Sequence, residues 1–527
     1  MKSRFFAALL IVSSPFASAV AGPPVRTVAL TNTQAPGVGA GTLFGDLSIP
    51  MLNNKGQTAF SSRLLGGDAS NDTSLWSEGT GSLALFAREG DAAPGTEAGV
   101  TFGQMGLPAL SDTGAIAFWS TLNGVANWPD SSDGYWSYAN GSFSLLARAN
   151  SQAPGTAAGV VFSGPMGMHW PAISDNGTIA ILAALHGPGV TSENGGGIWT
   201  QSTRSLALAF RGGAQAPGLN TGVLLSGPTG INDVPFVNDS GEIAFQGTLT
   251  GPGIGPTNNQ SVWSTGGGSL HMVARSGSQA PGASAGVNFA GFFSYPSILL
   301  NDNGETAFHG STSDNGEGIW SERGGLHAVA RTGQSAPDLP GETFSAFAFP
   351  VLNGDGRVAF MAFLPSGKQG LWSEGNGELA LVAIAGAQAP GAPAGVTFAN
   401  FGTGGALNGR GQFAFAASLA GLGPASANGV WVHDIDGVLR AIVRSGDAIE
   451  VAPGDVRIVS SVGFVEDSGN EDGHFSAFND LGQLAFHASF TDGTQGVFVT
   501  DIVAIPEPAT WVLALFAFGA MRCRPCS

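Results

Sequence analysis

The most regular charged residue in this sequence is an arginine that recurs at the end of an apolar segment. An arginine guanidinium carries five N–H donors in a planar fork, which matches the oxygens of carboxylate and phosphate groups. If the recurring segments lie side by side, their arginines could together bind an anionic ligand such as an acidic polysaccharide. Each arginine could instead pair with a carboxylate or a loop carbonyl of a neighbouring segment. These candidate ligand-binding residues are Arg88, Arg148, Arg211, Arg275, Arg331 and Arg444.

Acidic residues raise the question of a calcium site, because Ca²⁺ is bound by several carboxylate and carbonyl oxygens. The segments Asp302-Asn303-Gly304 and Asp355-Gly356 are similar to calcium loops, but most copies of this segment carry one acid only. A plain hairpin turn is therefore favoured there. The acidic stretch 466–474 is a second candidate, with Asp467, Glu471 and Asp472 as weak metal ligands. The alternative is a solvated loop, and the sequence indicates no other cofactor.

Signals for catalysis are poor in this sequence. Its eight histidines follow no repeat, and none stands in an H-E-x-x-H pattern. There is no G-x-S-x-G nucleophile elbow and no phosphate-binding loop ending in Lys-Ser/Thr. Separate carboxylates could still meet in space as the acid/base pair of a glycosidase. The net charge of −18, with no basic stripe, argues against nucleic-acid binding.

The elements that would position these residues are eight copies of the pattern N/S-x-x-G-x-x-A-F. Asn and Asp tolerate turn geometry and Gly accepts a positive φ, so each copy predicts a tight turn between two strands. The key glycines are 52 to 71 residues apart. The copies are Asn53–Phe60, Ser111–Phe118, Ser174–Ile181, Asn238–Phe245, Asn301–Phe308, Asn353–Phe360, Asn408–Phe415 and Asn479–Phe486.

Each copy continues with the same companions. An apolar-Trp pair such as Ile319-Trp320 predicts a third strand, and a segment such as HMVAR with a following Ala-Pro-Gly turn predicts a fourth. Four short strands in each unit of about 60 residues are typical of a β-propeller blade. The sequence therefore predicts an all-β fold, an eight-bladed β-propeller of four-stranded blades. Seven blades with a stray repeat, or two smaller propellers, stay open as alternatives.

The chain termini give a sharper prediction. The segment Val25–Gly37 is similar to a fourth strand with its Ala-Pro-Gly turn, but no first three strands precede it. The last copy has its first three strands, ending at Gly496–Thr500, and no fourth. We therefore expect the N-terminal strand to complete the eighth blade and to close the ring, which removes an exposed sheet edge. In the ring, the repeated Phe and Trp side chains should fill the space between blades, although a sugar-stacking row of Trp is a second interpretation.

The first 21 residues are typical of a secretory signal peptide. Lys2 and Arg4 precede an apolar stretch, and Ala19-Val20-Ala21 offers small residues for cleavage. The two cysteines, Cys523 and Cys526, stand at the extreme C-terminus, so the body of the chain must fold without a disulfide. The predicted organisation is a signal peptide at 1–21, a propeller at 22–503 and a C-terminal tail at 504–527.

The tail resembles the PEP-CTERM sorting signal, which combines Pro-Glu-Pro, a hydrophobic helix and a basic end. The matching residues are Pro506, Glu507 and Pro508 before the apolar run, and Arg522 and Arg524 after it. The resemblance implies a membrane protease of the exosortase type as a processing partner, in a Gram-negative cell that makes extracellular polysaccharide. It also implies attachment to the inner membrane through the tail, transient or permanent, before release to the cell surface or the medium.

The apolar run of the tail is short. Thr510 to Met521 spans 12 residues, or about 18 Å as a helix, against a bilayer core of about 30 Å. A transmembrane helix of this length suits a transient signal better than a permanent anchor. The alternative is a hydrophobic last strand or core helix.

Two resemblances concern the repeats. The segment Pro-x-Leu-Asn-x-x-Gly-x-x-Ala-Phe resembles the repeat of TolB-type propellers, and the body resembles exported tandem-repeat proteins with the N-x-x-G-x-x-A-F pattern. Neither implies an established activity. The sequence therefore favours an exported, surface-sorted, non-enzymatic interaction or extracellular-matrix protein, with extracellular polysaccharide as a partner. Its variable loops, Gly187–Gly197 and Gly251–Gln260, would provide the contacts. The alternative is a carbohydrate-active propeller that binds or hydrolyses polysaccharide with carboxylates near its central channel.

Overall fold

A computed structural model describes most of the body of the chain. The described residues are 25–67, 71–125, 132–164, 170–201, 205–226, 235–293, 298–402, 404–422, 427–466 and 473–502. The predicted signal peptide and the predicted sorting tail lie outside these residues. Within the described ranges, no helix is long and apolar enough to cross a membrane.

The described residues form eight antiparallel sheets, which are the eight blades of a β-propeller. We number the blades 1 to 8 and name the strands of each blade a to d, from the axis outward. The short segments of strand a from neighbouring blades contact one another around the ring, which places strand a at the axis. Strand d lies at the outer edge of each sheet. The predicted all-β, eight-bladed architecture is confirmed.

Strand a begins each blade and is the least regular strand. Its first segments are Leu43–Leu47, Thr101–Met105, Val161–Phe162, Leu224–Ser226, Phe289–Phe292, Ala346–Leu352, Thr397–Phe401 and Asp455–Gly463. In six blades a second segment follows a break, at Met51–Leu52, Ala109–Leu110, Ala172–Ile173, Phe236–Val237, Leu299–Leu300 and Ala406–Leu407. Two further short strands pair with strand a of blades 4 and 8, at Ala214–Gln215 and Ala448–Ala452.

Strands b and c are the regular centre of each blade. Strand b spans Thr58–Leu65, Ile116–Asn123, Ile179–His186, Ile243–Thr250, Thr306–Thr312, Val358–Phe363, Phe413–Ala420 and Gln483–Phe490. Strand c spans Thr73–Ser77, Asp133–Ala139, Gly196–Gln201, Gln260–Ser264, Glu317–Ser321, Gln369–Ser373, Asn428–His433 and Gln495–Asp501.

The N-terminal strand closes the ring as the sequence predicts. Strand d spans Ala84–Arg88, Ser142–Arg148, Ala207–Arg211, His271–Arg275, His327–Arg331, Ala380–Ile384 and Leu439–Arg444 in blades 1 to 7. In blade 8 the place of strand d is taken by Val25–Leu30, which pairs antiparallel with strand c, with Val25 opposite Thr500 and Leu30 opposite Gly496. The alternatives of seven blades with a stray repeat and of two smaller propellers are therefore wrong.

The repeated aromatic residues form the core between blades. The Trp of strand c is fully buried in blades 1 to 7, and in blade 5 its ring meets Phe289 edge-on at a centroid distance of 4.8 Å. In blades 2, 3, 5, 6 and 7 the indole N–H also donates to the Pro carbonyl of the preceding blade's Ala-Pro turn, as from Trp320 to Pro281 at 3.1 Å. Because these indoles are buried, the sugar-stacking interpretation of the Trp row is wrong, and the row serves as core.

Candidate functional site

The antiparallel connections give the propeller two different faces. The N-x-x-G turns between strands a and b lie on one face, together with the turns between strands c and d; we call this the turn face. The loops between strands b and c, and the Ala-Pro-Gly segments that lead to the next blade, lie on the other, which we call the loop face. The turn face carries the repeated motif, whereas the loop face carries most of the sequence variation between blades.

A ring of asparagine side chains surrounds the axis on the turn face. The first Asn of the motif is fully buried, and its side-chain Oδ1 accepts N–H groups of its own turn, as from Arg410 and Gln412 to Asn408. Its Nδ2 donates to the same position of the next blade, as from Asn408 to the carbonyl of Asn479 at 2.9 Å. This explains why the motif needs Asn, since one amide satisfies both a turn and a blade-to-blade contact. Ser111 and Ser174 replace this Asn in blades 2 and 3.

The second position of the turn forms another ring, and five of its eight members are aspartates. They are Asp112, Asp175, Asp239, Asp302 and Asp480. Several accept a backbone N–H from the turn of the neighbouring blade, as from Gly409 to Asp480 at 2.6 Å and from Asp239 to Asp302 at 2.9 Å. We call these residues the aspartate ring. The repeated acid is visible in the motif, but the sequence predicts only turn formation for these residues, and a calcium loop as the disfavoured alternative at Asp302.

The aspartate ring is electrostatically unfavourable when fully ionised. Burial, together with the charges of Asp112 and Asp239, raises the pKa of Asp175 to about 8. Burial also raises the pKa of Asp302 to about 6, against the lowering effect of the hydrogen bond from the Asp239 N–H. Asp175 Oδ2 accepts from Asn54 Nδ2 at 3.1 Å, while its buried Oδ1 accepts no hydrogen bond from the described residues. The raised pKa favours the protonated form of Asp175 at neutral pH.

The axis itself is filled. The second segments of strand a are apolar and buried, including Leu300, Leu407 and Val237. The two ends of the acidic insertion of blade 8 contact opposite sides of the ring. Glu466 Oε1 accepts the N–H of Ala416 in blade 7 at 3.0 Å. The Gly473 carbonyl accepts the N–H of Ile173 in blade 3 at 2.9 Å.

The end of the same insertion contacts the far side of the ring. The His474 ring stacks on Phe236 of blade 4 at 3.9 Å with an angle of 8° between the ring planes. Phe475 packs against Trp170, with ring centroids 5.6 Å apart, and the Ser476 carbonyl accepts the N–H of Leu52 in blade 1 at 2.7 Å. We call residues 464–466 and 473–476 the axial crossing. The predicted metal ligands Asp467, Glu471 and Asp472 lie outside the described residues.

No group of three or more His, Cys, Asp or Glu side chains in the described part of the chain has a geometry suited to a metal ion. The turns that are similar to calcium loops hold their backbone through the first Asn instead, as Asn301 Oδ1 accepts the N–H groups of Asn303 and Glu305.

The six predicted arginines lie at the ends of outer strands on the loop face and do not converge on the axis. Arg88, Arg211 and Arg275 donate to a backbone carbonyl of the b–c loop in their own blade, at 2.8 to 3.0 Å. The other three bind a carboxylate. Arg148 pairs with Glu97, Arg331 with Asp314 and Arg444 with Asp447. These contacts match the structural role that the sequence left open, and ligand binding by the arginines stays a prediction.

The two variable loops of the sequence analysis are ordered by their own side chains. Asn194 Oδ1 accepts the N–H of Thr191 at 2.7 Å, and Asn258 Oδ1 accepts the N–H of Gly255 at 2.7 Å. Each Asn also donates to a glycine carbonyl five residues earlier, Gly189 or Gly253. Both loops therefore project from the loop face in a fixed conformation.

The family described as "Family of unknown function (DUF7453)" matches the chain at residues 13–233 and 223–512. The two matches together cover most of the sequence. No curated protein matches it.

Several solved structures match the chain at low sequence identity and low TM-score. A puromycin-hydrolyzing peptidase from Mycobacterium tuberculosis is 14% identical, with a TM-score of 0.36, over 76% of this chain and 53% of the peptidase. The chain thus spans about half the length of that protein. The β-propeller domain of the Trilobed protease from Pyrococcus furiosus is 11% identical, with a TM-score of 0.36, over 76% of this chain and 98% of that domain. A polysaccharide lyase of family PL25, an ulvan lyase, is 12% identical, with a TM-score of 0.32, over 87% of this chain and 95% of the lyase.

Proposed function

The chain belongs to the DUF7453 family, whose function is unknown, and we propose that it is an exported, surface-sorted, non-enzymatic protein that contacts extracellular polysaccharide. The signal peptide at 1–21 and the sorting tail at 504–527 carry the export part of the proposal, with an exosortase-type protease as the processing partner. The rigid ring then presents its loop face as a multivalent contact surface.

The binding part of the proposal rests on a difference between the axis and the loop face: the axis is occupied by protein, whereas the loops are exposed and ordered. The axis is occupied by buried apolar strands and by the axial crossing, which joins blades 7, 8, 1, 3 and 4. The loops around Asn194 and Asn258 are exposed and held by their own hydrogen bonds. Loops that are already ordered lose less conformational entropy on binding, which favours affinity for a repetitive polymer.

Co-sedimentation of the purified chain with extracellular polysaccharide from a Gram-negative producer tests this proposal. We expect retention of the chain without release of reducing ends. The double variant Asn194→Ala/Asn258→Ala should be retained less, because both loops lose their internal hydrogen bonds. Asn303→Ala is the matched control, since this exposed Asn amide bonds Gly354 on the turn face. Failure of the chain to co-sediment, or equal loss in the control, would contradict the proposal.

A second function is favoured by one observation, the raised pKa of Asp175 beside other carboxylates. Two carboxyl groups whose pKa values are pushed apart, here about 8 for Asp175 and about 6 for Asp302, are the arrangement that acid/base hydrolysis uses. In this alternative the chain hydrolyses polysaccharide at the aspartate ring. Release of reducing ends that is abolished by Asp175→Asn, and retained in Asp436→Asn on the surface, would establish the hydrolase in place of the binding protein.

A further inference from the structure

The loop face carries a cleft at the junction where the ring closes. The cleft has a volume of about 420 Å³, within the range of roughly 300–1,000 Å³ that small-molecule sites occupy. Blade 8 contributes its N-terminal strand end at Asn32 and its b–c turn at Gly493. Blade 1 contributes Asp46, Arg63 and Asp72. We call this the closure cleft.

The closure cleft lies where blade 8 lacks the arginine that ends strand d in blades 1 to 5 and 7; blade 6 also lacks it and has Ile384. In blades 1, 3 and 4, the arginine at the end of strand d reaches the b–c loop of the same blade, as Arg211 does to Asn194. In blade 8, the equivalent of that arginine is Leu30, which is buried, and the equivalent of Asn194 is Gly493. The space that a guanidinium fills elsewhere is therefore left to solvent beside Thr31 and Gln495.

Among the charged residues around this space, Arg63 is a feature of blade 1 alone. Arg63 lies opposite Thr73, the first residue of strand c, and the pairing register identifies its counterpart in every other blade. None of these counterparts is charged: Thr121, Ala184, Thr248, Ser311, Phe363, Ser418 and Ser489.

In blade 7, the positions equivalent to Arg63 and Asp46 carry uncharged residues that bond to each other. Ser418 corresponds to Arg63 and Asn400 to Asp46, and the Ser418 hydroxyl bonds the backbone N–H and carbonyl of Asn400. In blade 1, Arg63 turns away from strand a and pairs with Asp72 through both Nε and Nη2, at 3.2 and 2.5 Å. The repeat thus offers a closed, neutral version of the site, and blade 1 departs from it with three charged residues.

The walls of the closure cleft are held in place. The Gln495 side-chain Oε1 accepts the backbone N–H of Leu47 at 3.0 Å. The backbone N–H of Gln495 donates to the Thr31 hydroxyl at 2.9 Å. The Arg63 side chain is 61% exposed, whereas Asp72 is 13% exposed. Arg63 therefore keeps donors toward solvent while its charge is balanced by Asp72.

We propose that the closure cleft binds one neutral sugar unit of a glycan, with Asp46 and Asn32 bonding ring hydroxyls beside the Arg63–Asp72 pair. A sugar hydroxyl both donates and accepts, so it suits a carboxylate, an amide and a partly free guanidinium side by side. The exposed Leu65, at 45%, offers an apolar surface for the C–H face of the ring. Two carboxylates against one guanidinium leave a net negative charge, which disfavours a uronate. This inference rests on the proposed contact with polysaccharide and names the unit that is bound.

Titration calorimetry and saturation-transfer NMR on the purified chain test the closure cleft, with cellobiose as the neutral probe and glucuronate as the charged one. We expect binding of cellobiose and none of glucuronate. Asp46→Ala should weaken cellobiose binding roughly tenfold or more, as expected for loss of a hydrogen bond to a charged group. Asn400→Ala, at the equivalent position of blade 7, is the matched control and should bind as the original chain does. Both residues lie on exposed positions of strand a, and an unchanged unfolding temperature verifies that each variant is folded.

The outcomes separate this inference from the proposed function. Absence of cellobiose binding, binding that Asp46→Ala leaves unchanged, or preference for glucuronate would each overturn the closure cleft as a neutral-sugar site. Polysaccharide co-sedimentation that survives in Asp46→Ala would retain the proposed function and reject the cleft as its main contact. Cellobiose binding without any polysaccharide retention would support the cleft and reject the proposed function.

Discussion

Asn479, in the last repeat, donates its side-chain Nδ2–H to the backbone carbonyl of Asn53, in the first repeat, at 2.9 Å. The two residues are 426 positions apart, yet the contact is the same one that neighbouring repeats make. The ring is therefore closed twice, at the axis by this hydrogen bond and at the outer edge by the pairing of Val25–Leu30 with Gln495–Asp501. Closure at both radii gives blade 8 the inner turn contact and the fourth strand that the other blades have.

The axial closure should contribute measurably to stability. Asn479→Ala removes the donor to Asn53 and the acceptor for the N–H groups of Leu481 and Gln483. Since these groups are buried or half-buried, we expect a loss of about 1–3 kcal/mol in the free energy of unfolding, measured by urea denaturation. Ser174→Ala is the control, because the hydroxyl of Ser174 bonds within its own turn. An equal loss of unfolding free energy in both variants would show that the hydrogen bond between blades adds no stability beyond that of the turn itself.

The aspartate ring should make stability depend on pH. The pKa of Asp175 is raised to about 8 by burial and neighbouring carboxylates, and that of Asp302 to about 6 by burial, against an unfolded value near 3.8. A raised folded pKa means that the folded state binds the proton more tightly, so stability falls as the pH rises from about 4 to about 8. Asp175→Asn should flatten this slope and raise the unfolding temperature at pH 9 relative to the original chain.

Thermal unfolding between pH 4 and pH 9 measures this effect. The control is Asp436→Asn on the surface, where the hydrogen bond from Arg440 lowers the pKa to about 2. Its contribution has the opposite sign, because it is present at higher pH and is lost as the pH falls toward 2. An unchanged slope in Asp175→Asn would mean that the carboxylates do not repel one another at the axis.

The indole N–H of strand c should fix the preceding Ala-Pro-Gly turn. Trp320→Phe leaves the Pro281 carbonyl without its donor at 3.1 Å and should cost about 1–3 kcal/mol. Faster cleavage at residues 280–282 in limited proteolysis is the specific readout. Trp263→Phe is the comparison, because the Trp263 indole donates to Ser261 in its own strand at 2.8 Å. If the preceding turn is cleaved equally fast in both variants, the hydrogen bond from the indole to the Pro carbonyl does not hold that turn against the next blade.

The N-terminal strand should be essential for a stable ring. Ala29 is buried between strand c of blade 8 and the first blade, so Ala29→Asp places an unpaired carboxylate in the core. We expect a loss of about 3 kcal/mol or more, with concentration-dependent aggregation through the exposed edge, measured by urea denaturation and light scattering. Arg26→Gln removes an ion pair between the half-exposed Arg26 and Glu78 and a hydrogen bond to the Gly56 carbonyl, and should cost about 1 kcal/mol. Wild-type stability in Ala29→Asp would refute closure by this strand.

The sequence by itself determined the repeat, and it predicted eight blades and a closing N-terminal strand, while seven blades or two smaller propellers stayed open until the structure excluded them. These follow from local physics, because the Asn–Gly turn, the alternation of apolar side chains and the Ala-Pro-Gly segment act within about ten residues. In Gly304, for example, φ is +76°, and an added Cβ would lie 2.9 Å from the backbone of Gly266, so the motif requires this glycine. The same local pattern predicted that Trp320 and its equivalents fill the space between blades.

Only the tertiary structure decided what lies at the axis and at the closure cleft. Asp112, Asp175 and Asp480 come from different repeats, and their mutual repulsion arises only when the ring brings the turns together. The axial crossing depends in the same way on blades 3 and 4, which are more than 200 residues away in sequence from 473–474. At the cleft, blade 8 has Leu30 in place of an arginine and Gly493 in place of an asparagine, and this difference is visible only when blades 1, 3 and 4 show what fills that space.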